Sequence, residues 1–271
     1  MPEGAPGQPE PLLRLRRAGI PTGLSDLDAV THGLLPATLW VLAAHPGVGR
    51  SMLAAQIARS AASTGTGTST STTTRFISGR EDCALIESYW LAAEARVPLH
   101  HLLAGEINPG EATRLHVVRQ RLDAVPLSVW TEADDEWVDE ECHSTASFRH
   151  QVGSPCQRAR VIVADDIDIL LDATLPQSAR RLRDWTRAAN FTLVVTVPED
   201  QVLDGGRLFP AVARAADVVL LLSREGLFQG DVEREGEARL DVLRNRYGPV
   251  ARIGAEFQGL YATFAEVRTR S

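Results

Sequence analysis

The stretch that most constrains how this chain can fold is residues 39–62, where an apolar run, a glycine turn and an amphipathic segment follow directly on one another. Leu39–Ala44 contains no polar side chain, the pattern of a short parallel strand buried on both faces. Ser51–Ala62 places Leu53, Ile57 and Ala61 at helical spacing, which predicts a helix with one buried side. Between them the chain reads Ala44-His45-Pro46-Gly47-Val48-Gly49-Arg50-Ser51. A turn of this kind aims successive backbone N–H groups at one point beside a helix N-terminus, and Gly47 and Gly49 leave those groups uncovered. It is a cradle for phosphate oxygens. The cation of Arg50 would reach the β- and γ-phosphates, and the Ser51 hydroxyl would take one position on Mg²⁺. His45, Pro46, Gly47, Val48, Gly49, Arg50 and Ser51 are therefore the candidate nucleotide-binding residues. The usual spacing is G-x-x-x-x-G-K-[ST], so Ala44 and Arg50 depart from it. A glycine-rich strand–helix turn with no ligand is the alternative.

A second apolar run, Val161-Ile162-Val163-Ala164, ends in Asp165-Asp166. Strand tips of open parallel sheets are where ligands collect, so Asp165 is the candidate carboxylate beside the phosphate loop, able to hold a Mg²⁺-bound water. The competing reading is that both aspartates only cap the next segment.

The rest of the chain alternates in the same way. Arg75–Ser78, Leu127–Trp130, Phe191–Val197 and Val218–Leu222 read as strands, and Glu81–Ala95, Glu111–Ala124 and Ala179–Asn190 as helices. Ala238–Arg244 and Ala251–Phe257 read as a hairpin turned at Tyr247-Gly248-Pro249. This order predicts an α/β fold with a mainly parallel central sheet flanked by helices and a C-terminal β-hairpin. Residues 1–18, rich in Pro, Gly and Arg, are expected to form a flexible arm, and residues 19–271 one nucleotide-binding domain. Within it, residues 63–74 are a Ser/Thr/Gly tract expected to be a mobile loop. The acidic stretch Thr131–Glu141 reads as a solvated face, without the His/Asp spacing of a metal site.

Composition narrows the setting. The net charge of −7 argues against a general nucleic-acid coat but leaves room for a local basic channel. No window approaches the roughly 18 consecutive apolar residues of a membrane span, and the N-terminus lacks a basic-then-apolar leader. Cys83, Cys142 and Cys156 form no Cys-x-x-Cys pair. A cytoplasmic protein with no membrane partner is expected. All 28 basic residues are arginine, so an arginine where lysine is usual can reflect coding bias.

Beyond these two motifs, Gly19-Ile20-Pro21-Thr22-Gly23-Leu24-Ser25-Asp26-Leu27-Asp28 with Gly33-Leu34-Leu35-Pro36 resembles the lead into the phosphate loop of DnaB-type replicative helicases. Ala215-Ala216-Asp217-Val218-Val219-Leu220-Leu221-Leu222 and Leu243-Arg244-Asn245-Arg246-Tyr247-Gly248-Pro249-Val250 resemble that family's late strand and basic hairpin. The resemblance runs from about Gly19 to Phe264 and covers the family's C-terminal domain without its N-terminal collar. It implies a RecA-like P-loop NTPase fold, ATP and Mg²⁺ as ligands, and a head-to-tail homo-oligomeric ring. It also implies single-stranded DNA and a replication protein as partners. Ser51 and Asp165 would hold the metal, and Arg244 and Arg246 would act on the nucleotide of the neighbouring subunit.

Several departures point toward weakened hydrolysis. Arg50 stands where the family has lysine, and a planar guanidinium is not equivalent to an ammonium against phosphate. The family's catalytic glutamate aligns with Arg80, leaving Glu81 to serve only after a one-residue shift. The polar sensor aligns with Pro198. The DNA-facing loop after Asp165 is shortened to Asp172–Ser178, and Arg207 is the remaining cation in the Leu203–Pro210 loop. Two functions follow: a ring-forming DNA helicase-family ATPase, or a non-motor module that binds nucleotide or partners without unwinding DNA. A recombinase or clock-type ATPase of the same superfamily fits the late hairpin less well.

Overall fold

The computed structural model describes residues 19–64, 72–131, 159–168, 174–224, 226–227 and 236–267. The N-terminal arm, most of the 63–74 tract, the acidic stretch after Thr131, Cys142 and Cys156 lie outside the described residues.

Nine strands form one sheet. In chain order they are β1 (Leu39–Ala44), β2 (Thr74–Ser78), β3 (Leu127–Thr131), β4 (Val161–Asp165), β5 (Thr192–Pro198), β8 (Val218–Ser223), β9 (Glu237–Asn245), β10 (Ala251–Gln258) and β11 (Thr263–Glu266). A separate two-stranded ribbon pairs β6 (Leu203–Asp204) with β7 (Arg207–Leu208). The sheet order is β11-β10-β9-β8-β1-β5-β4-β2-β3. From β8 to β3 every pairing is parallel, and from β8 to β11 every pairing is antiparallel. The parallel half with an antiparallel hairpin appended is the arrangement the sequence predicts.

The central strands are apolar because both faces are covered. All of β1, β2 and β4 is buried. Side chains alternate across the sheet, so Trp40, Leu42 and Ala44 face one core while Leu39, Val41 and Ala43 face the other. The first core is closed by helices α2 (Arg50–Ser63) and α3 (Cys83–Ala95), with Leu53, Ile57 and Trp90 packed against Phe76 and Val163. The Trp90 indole N–H donates to the Ala55 carbonyl at 2.8 Å, which satisfies its one polar atom. The second core is closed by α6 (Leu175–Ala189) and α7 (Pro210–Ala215), through Leu182, Ala179 and Val212.

The shorter helices are α1 (Ser25–Thr31), α4 (Leu99–Ala104) and α5 (Pro109–Asp123). The start of α5 is fixed by a capping box between Asn108 and Glu111. Among the described residues no helix is long and apolar enough to cross a membrane.

Candidate functional site: the tips of the central strands

The register of the parallel half brings three turns to one edge. Ala44 at the end of β1 pairs with Pro198 of β5 and with Leu222 of β8, and Asp165 at the end of β4 pairs with Ser78 of β2. The turn after β1 runs through His45, Pro46, Gly47, Val48 and Gly49 into the first residues of α2, Arg50 and Ser51. His45, Pro46 and Gly47 are exposed and Val48 is buried beneath them. Gly47 has φ 82° and Gly49 φ 102°, a left-handed backbone that a side chain strains. The two glycines differ in their surroundings. A Cβ on Gly47 would meet nothing within 4 Å, so the cradle opens at that point. A Cβ on Gly49 would lie 3.1 Å from Phe264 and 3.2 Å from Phe257, so this glycine seats the loop on the aromatic end of the C-terminal hairpin.

Behind the loop sit two adjacent aspartates with different work. Asp165 is fully buried, and its Oδ1 accepts the Thr196 hydroxyl at 2.5 Å. Its Oδ2 is buried without a hydrogen bond of good geometry. Burial holds the Asp165 carboxyl above the usual range, and Asp166 adds to that; the hydroxyls of Thr196 and Ser51 and the charge of Arg50 oppose it. Asp166 has φ 52° and is also buried, with its N–H donating to Thr196 Oγ1 at 2.9 Å. One hydroxyl on β5 thus fixes both acids.

The Asp166 carboxylate is shared by two arginines. Arg50 Nη2 donates to Oδ1, and Arg80 Nε donates to Oδ2 at 3.2 Å. Arg50 still has Nε and Nη1 buried without partners. Arg80 lies in the turn after β2, where the Ser78 hydroxyl accepts the N–H groups of Arg80 at 3.3 Å and Glu81 at 2.8 Å. Glu81 is half-buried. It shares with Asp165 and Asp82 an electrostatic effect on Tyr89, whose hydroxyl is pushed up to about 12, burial being the largest cause. Asp82 caps α3, accepting the Leu85 N–H at 2.7 Å.

These atoms fit the groups the sequence implies. An orphaned carboxylate oxygen beside the Ser51 hydroxyl suits Mg²⁺, and orphaned guanidinium N–H groups beside an open glycine turn suit phosphate.

Arg244 and Arg246 are elsewhere. Asn245, between them, pairs with Val218, at the opposite end of β8 from Leu222 and the phosphate loop. That separation is about 13 Å along the strand. There Asp217 is fully buried, its Oδ2 accepts the Leu39 N–H at 3.0 Å, and Arg246 Nε makes an ion pair with Oδ1 at 2.6 Å. Arg244 Nε donates to the Ala216 carbonyl at 2.9 Å. Arg183 and Arg246 both donate to the Arg214 carbonyl, at 2.7 and 3.2 Å. A groove of about 480 Å³ beside them, between α6 and α7, is lined by Arg180, Arg183, Arg187 and Arg214.

Sequence reasoning brought together the loop residues and Asp165 but missed Thr196, Asp166 as an arginine acceptor, and Asp217. Thr196 sits two positions before Pro198, on the same face of β5, and is the side chain that reaches Asp165. The available signal was a threonine near the end of a mostly apolar strand.

The model of the DnaB-like helicase C terminal domain matches residues 19–189. The replicative DNA helicase DnaB of Leifsonia xyli subsp. xyli is 29% identical over 92% of this chain, and that of Geobacillus stearothermophilus 22% identical over 93%. The chain spans 56% and 57% of those two proteins. Among solved structures it resembles a DnaB-like replicative helicase described with its interactions with primase (TM-score 0.76, 15% identity, 92% of this chain and 62% of that one). It also resembles a second solved protein, described as an ATPase domain (TM-score 0.74, 15% identity, 92% of both chains). With the family model covering well over half its length, this chain belongs to the DnaB-like helicase C-terminal domain family.

Proposed function

We propose that this chain is a Mg·ATP-binding helicase-family ATPase domain that works in head-to-tail rings on single-stranded DNA, in replication or unwinding, and hydrolyses ATP slowly. The observation that carries nucleotide binding is the set of orphaned polar atoms, Arg50 Nε and Nη1 and Asp165 Oδ2, gathered behind an open glycine turn. Buried polar groups in folded proteins are normally paired, so their gathering behind this loop supports a ligand site there.

The backbone N–H groups of Gly47, Gly49, Arg50 and Ser51 would bind the phosphates within the His45–Ser51 loop, and Arg50 would neutralise them. Ser51 and Asp165 hold Mg²⁺, which when bound stabilises charge on the phosphate oxygens. Thr196 keeps the Asp165 carboxylate aimed at the loop. Glu81 is the carboxylate available to orient the attacking water. Replacement of the family's glutamate by Arg80 leaves that step poorly served, and losing one transition-state group costs on the order of 10²–10³ in rate.

The ring rests on geometry. Arg244 and Arg246 lie at the far end of the sheet from their own loop, which supports a role at the nucleotide site of a neighbouring subunit rather than their own. Arg183 beside them is held below the usual arginine range by burial and by repulsion from Arg246 and Arg187, against the attraction of Asp217 and Asp184. Primase-type partners come from the described relative alone.

ATP turnover, measured with and without single-stranded DNA at protein concentrations that allow assembly, tests the reading. DNA-stimulated turnover is expected; nucleotide binding with no turnover under any condition selects the non-motor module, which Arg80 favours. Ser51→Ala is expected to weaken Mg·ATP binding, and equal affinity in both proteins defeats the loop assignment. Arg246→Ala is expected to lower turnover while the isolated subunit binds ATP as before.

A further inference from the structure

We infer that Arg80 is a ligand of the terminal phosphate in its own subunit, so that the site selects a nucleoside triphosphate over the diphosphate. This rests on the proposed binding of nucleotide at the His45–Ser51 loop.

The turn carrying Arg80 is built rigidly against the site. The Gly79 N–H donates to the Asp165 carbonyl at 3.0 Å, which fastens the end of β2 to the end of β4. Ser78 Oγ then holds the next two N–H groups. The Arg80 backbone is therefore fixed, while its side chain is 65% exposed, against 13% for Arg50. Arg80 is the outer, movable cation of the pair. Asp166 is the fixed member, held by Thr196 and a left-handed backbone.

Counting donors shows what is left for a ligand. Two guanidinium groups share one carboxylate, and each engages it through a single nitrogen. Each guanidinium has five donors, so most of its capacity remains. The loop amides and Arg50 suffice for a diphosphate seated at the start of α2. Because Arg80 and Arg50 sit on the two oxygens of one carboxylate, a third phosphate extending past Arg50 would meet Arg80. A guanidinium offers a bidentate, charge-assisted fork to phosphate oxygens. Asp166 holds that fork in place until the ligand arrives.

The competing role for Arg80 is purely structural, a clamp that neutralises Asp166. Affinities of the full chain for β,γ-imido-ATP and for ADP, both with excess Mg²⁺, separate the two. Arg80→Ala is expected to weaken β,γ-imido-ATP about tenfold, the scale of one charge-assisted hydrogen bond, and to leave ADP within about twofold. Arg80→Lys is expected to keep part of the preference, and Arg80→Gln to match alanine if alanine disturbs the turn. Equal losses for both nucleotides, no change for either, or tighter binding of both overturns the inference while leaving the loop assignment standing. If the unaltered chain binds neither nucleotide, the loop assignment and this inference fall together.

Discussion

The two ends of the parallel sheet are built from the same materials and used differently. Each end has a fully buried aspartate and a set of arginines. At the strand roots, Asp217 is consumed by structure: its backbone N–H donates to the Leu39 carbonyl at 2.8 Å, its side chain accepts the Leu39 N–H, and Arg246 lies against it. At the strand tips, Asp165 is held on one oxygen by Thr196 and left open on the other, and Arg50 keeps two N–H groups unpartnered. One aspartate joins β1 to β8. The other is held by a side-chain hydroxyl rather than by a backbone N–H, an arrangement that suits the proposed binding site.

If that contrast is right, Asp217→Ala has the largest effect on folding. It orphans the Leu39 N–H and strips a buried partner from Arg246, so a loss of about 3 kcal/mol is expected in chemical denaturation. A loss under about 1 kcal/mol would show that the root end is as dispensable as the tip. Gly49→Ala comes next, at roughly 2 kcal/mol, because a left-handed backbone and contact with Phe264 and Phe257 both oppose the added carbon. Gly47→Ala, strained in backbone only, is expected to cost about half as much, and equal costs would deny that Gly49 seats the loop on the hairpin.

The smallest change in stability has the opposite sign. The Asp165 carboxyl in the folded chain lies above its ordinary 3.8, so the folded state holds its proton more tightly than the unfolded state does. The resulting stability is fully present below 3.8 and is lost as pH rises through the folded value. At neutral pH the ionised carboxylate therefore opposes folding of the ligand-free chain. Asp165→Asn is expected to stabilise that chain at pH 7, read as a raised Tm, and to flatten its dependence on acid pH. Mg²⁺-dependent nucleotide affinity is expected to fall at least tenfold in the same variant. A destabilised variant would mean that Asp165 serves the fold as Asp217 does.

What could be read from the residues follows the range of the forces involved. The strands β1, β4 and β5 were legible because burial on both faces writes a continuous apolar run. The hairpin of β9 and β10 was legible from its turn. Helix α6 begins at Leu175, four residues before the expected start at Ala179, and the signal was present in Thr174 and Gln177, which form a capping box ahead of the apolar positions. The short helices α1, α4 and α7 and the strand β11 have too few residues to show a period.

In the candidate site, the loop was legible because its geometry is local: consecutive residues form one glycine turn between β1 and α2. The pairing of Arg50 and Arg80 through Asp166 joins residues 116 and 86 positions apart, and only the strand register brings them together. The same holds for Thr196 against Asp165, 31 positions apart.

The seat of Gly49 on Phe257 and Phe264 has a reach beyond its own turn. β10 runs eight residues from the arginine-bearing bend at Arg246 to the strand end that carries Phe257, a span of about 25 Å. It pairs with β9 from Ala251 to Glu256 and with β11 from Ala255 to Gln258, so one continuous strand links the bend to the aromatic seat of the loop. In the proposed ring, a displacement of the loop would therefore reach the next subunit as a shift of the two guanidinium groups at the bend.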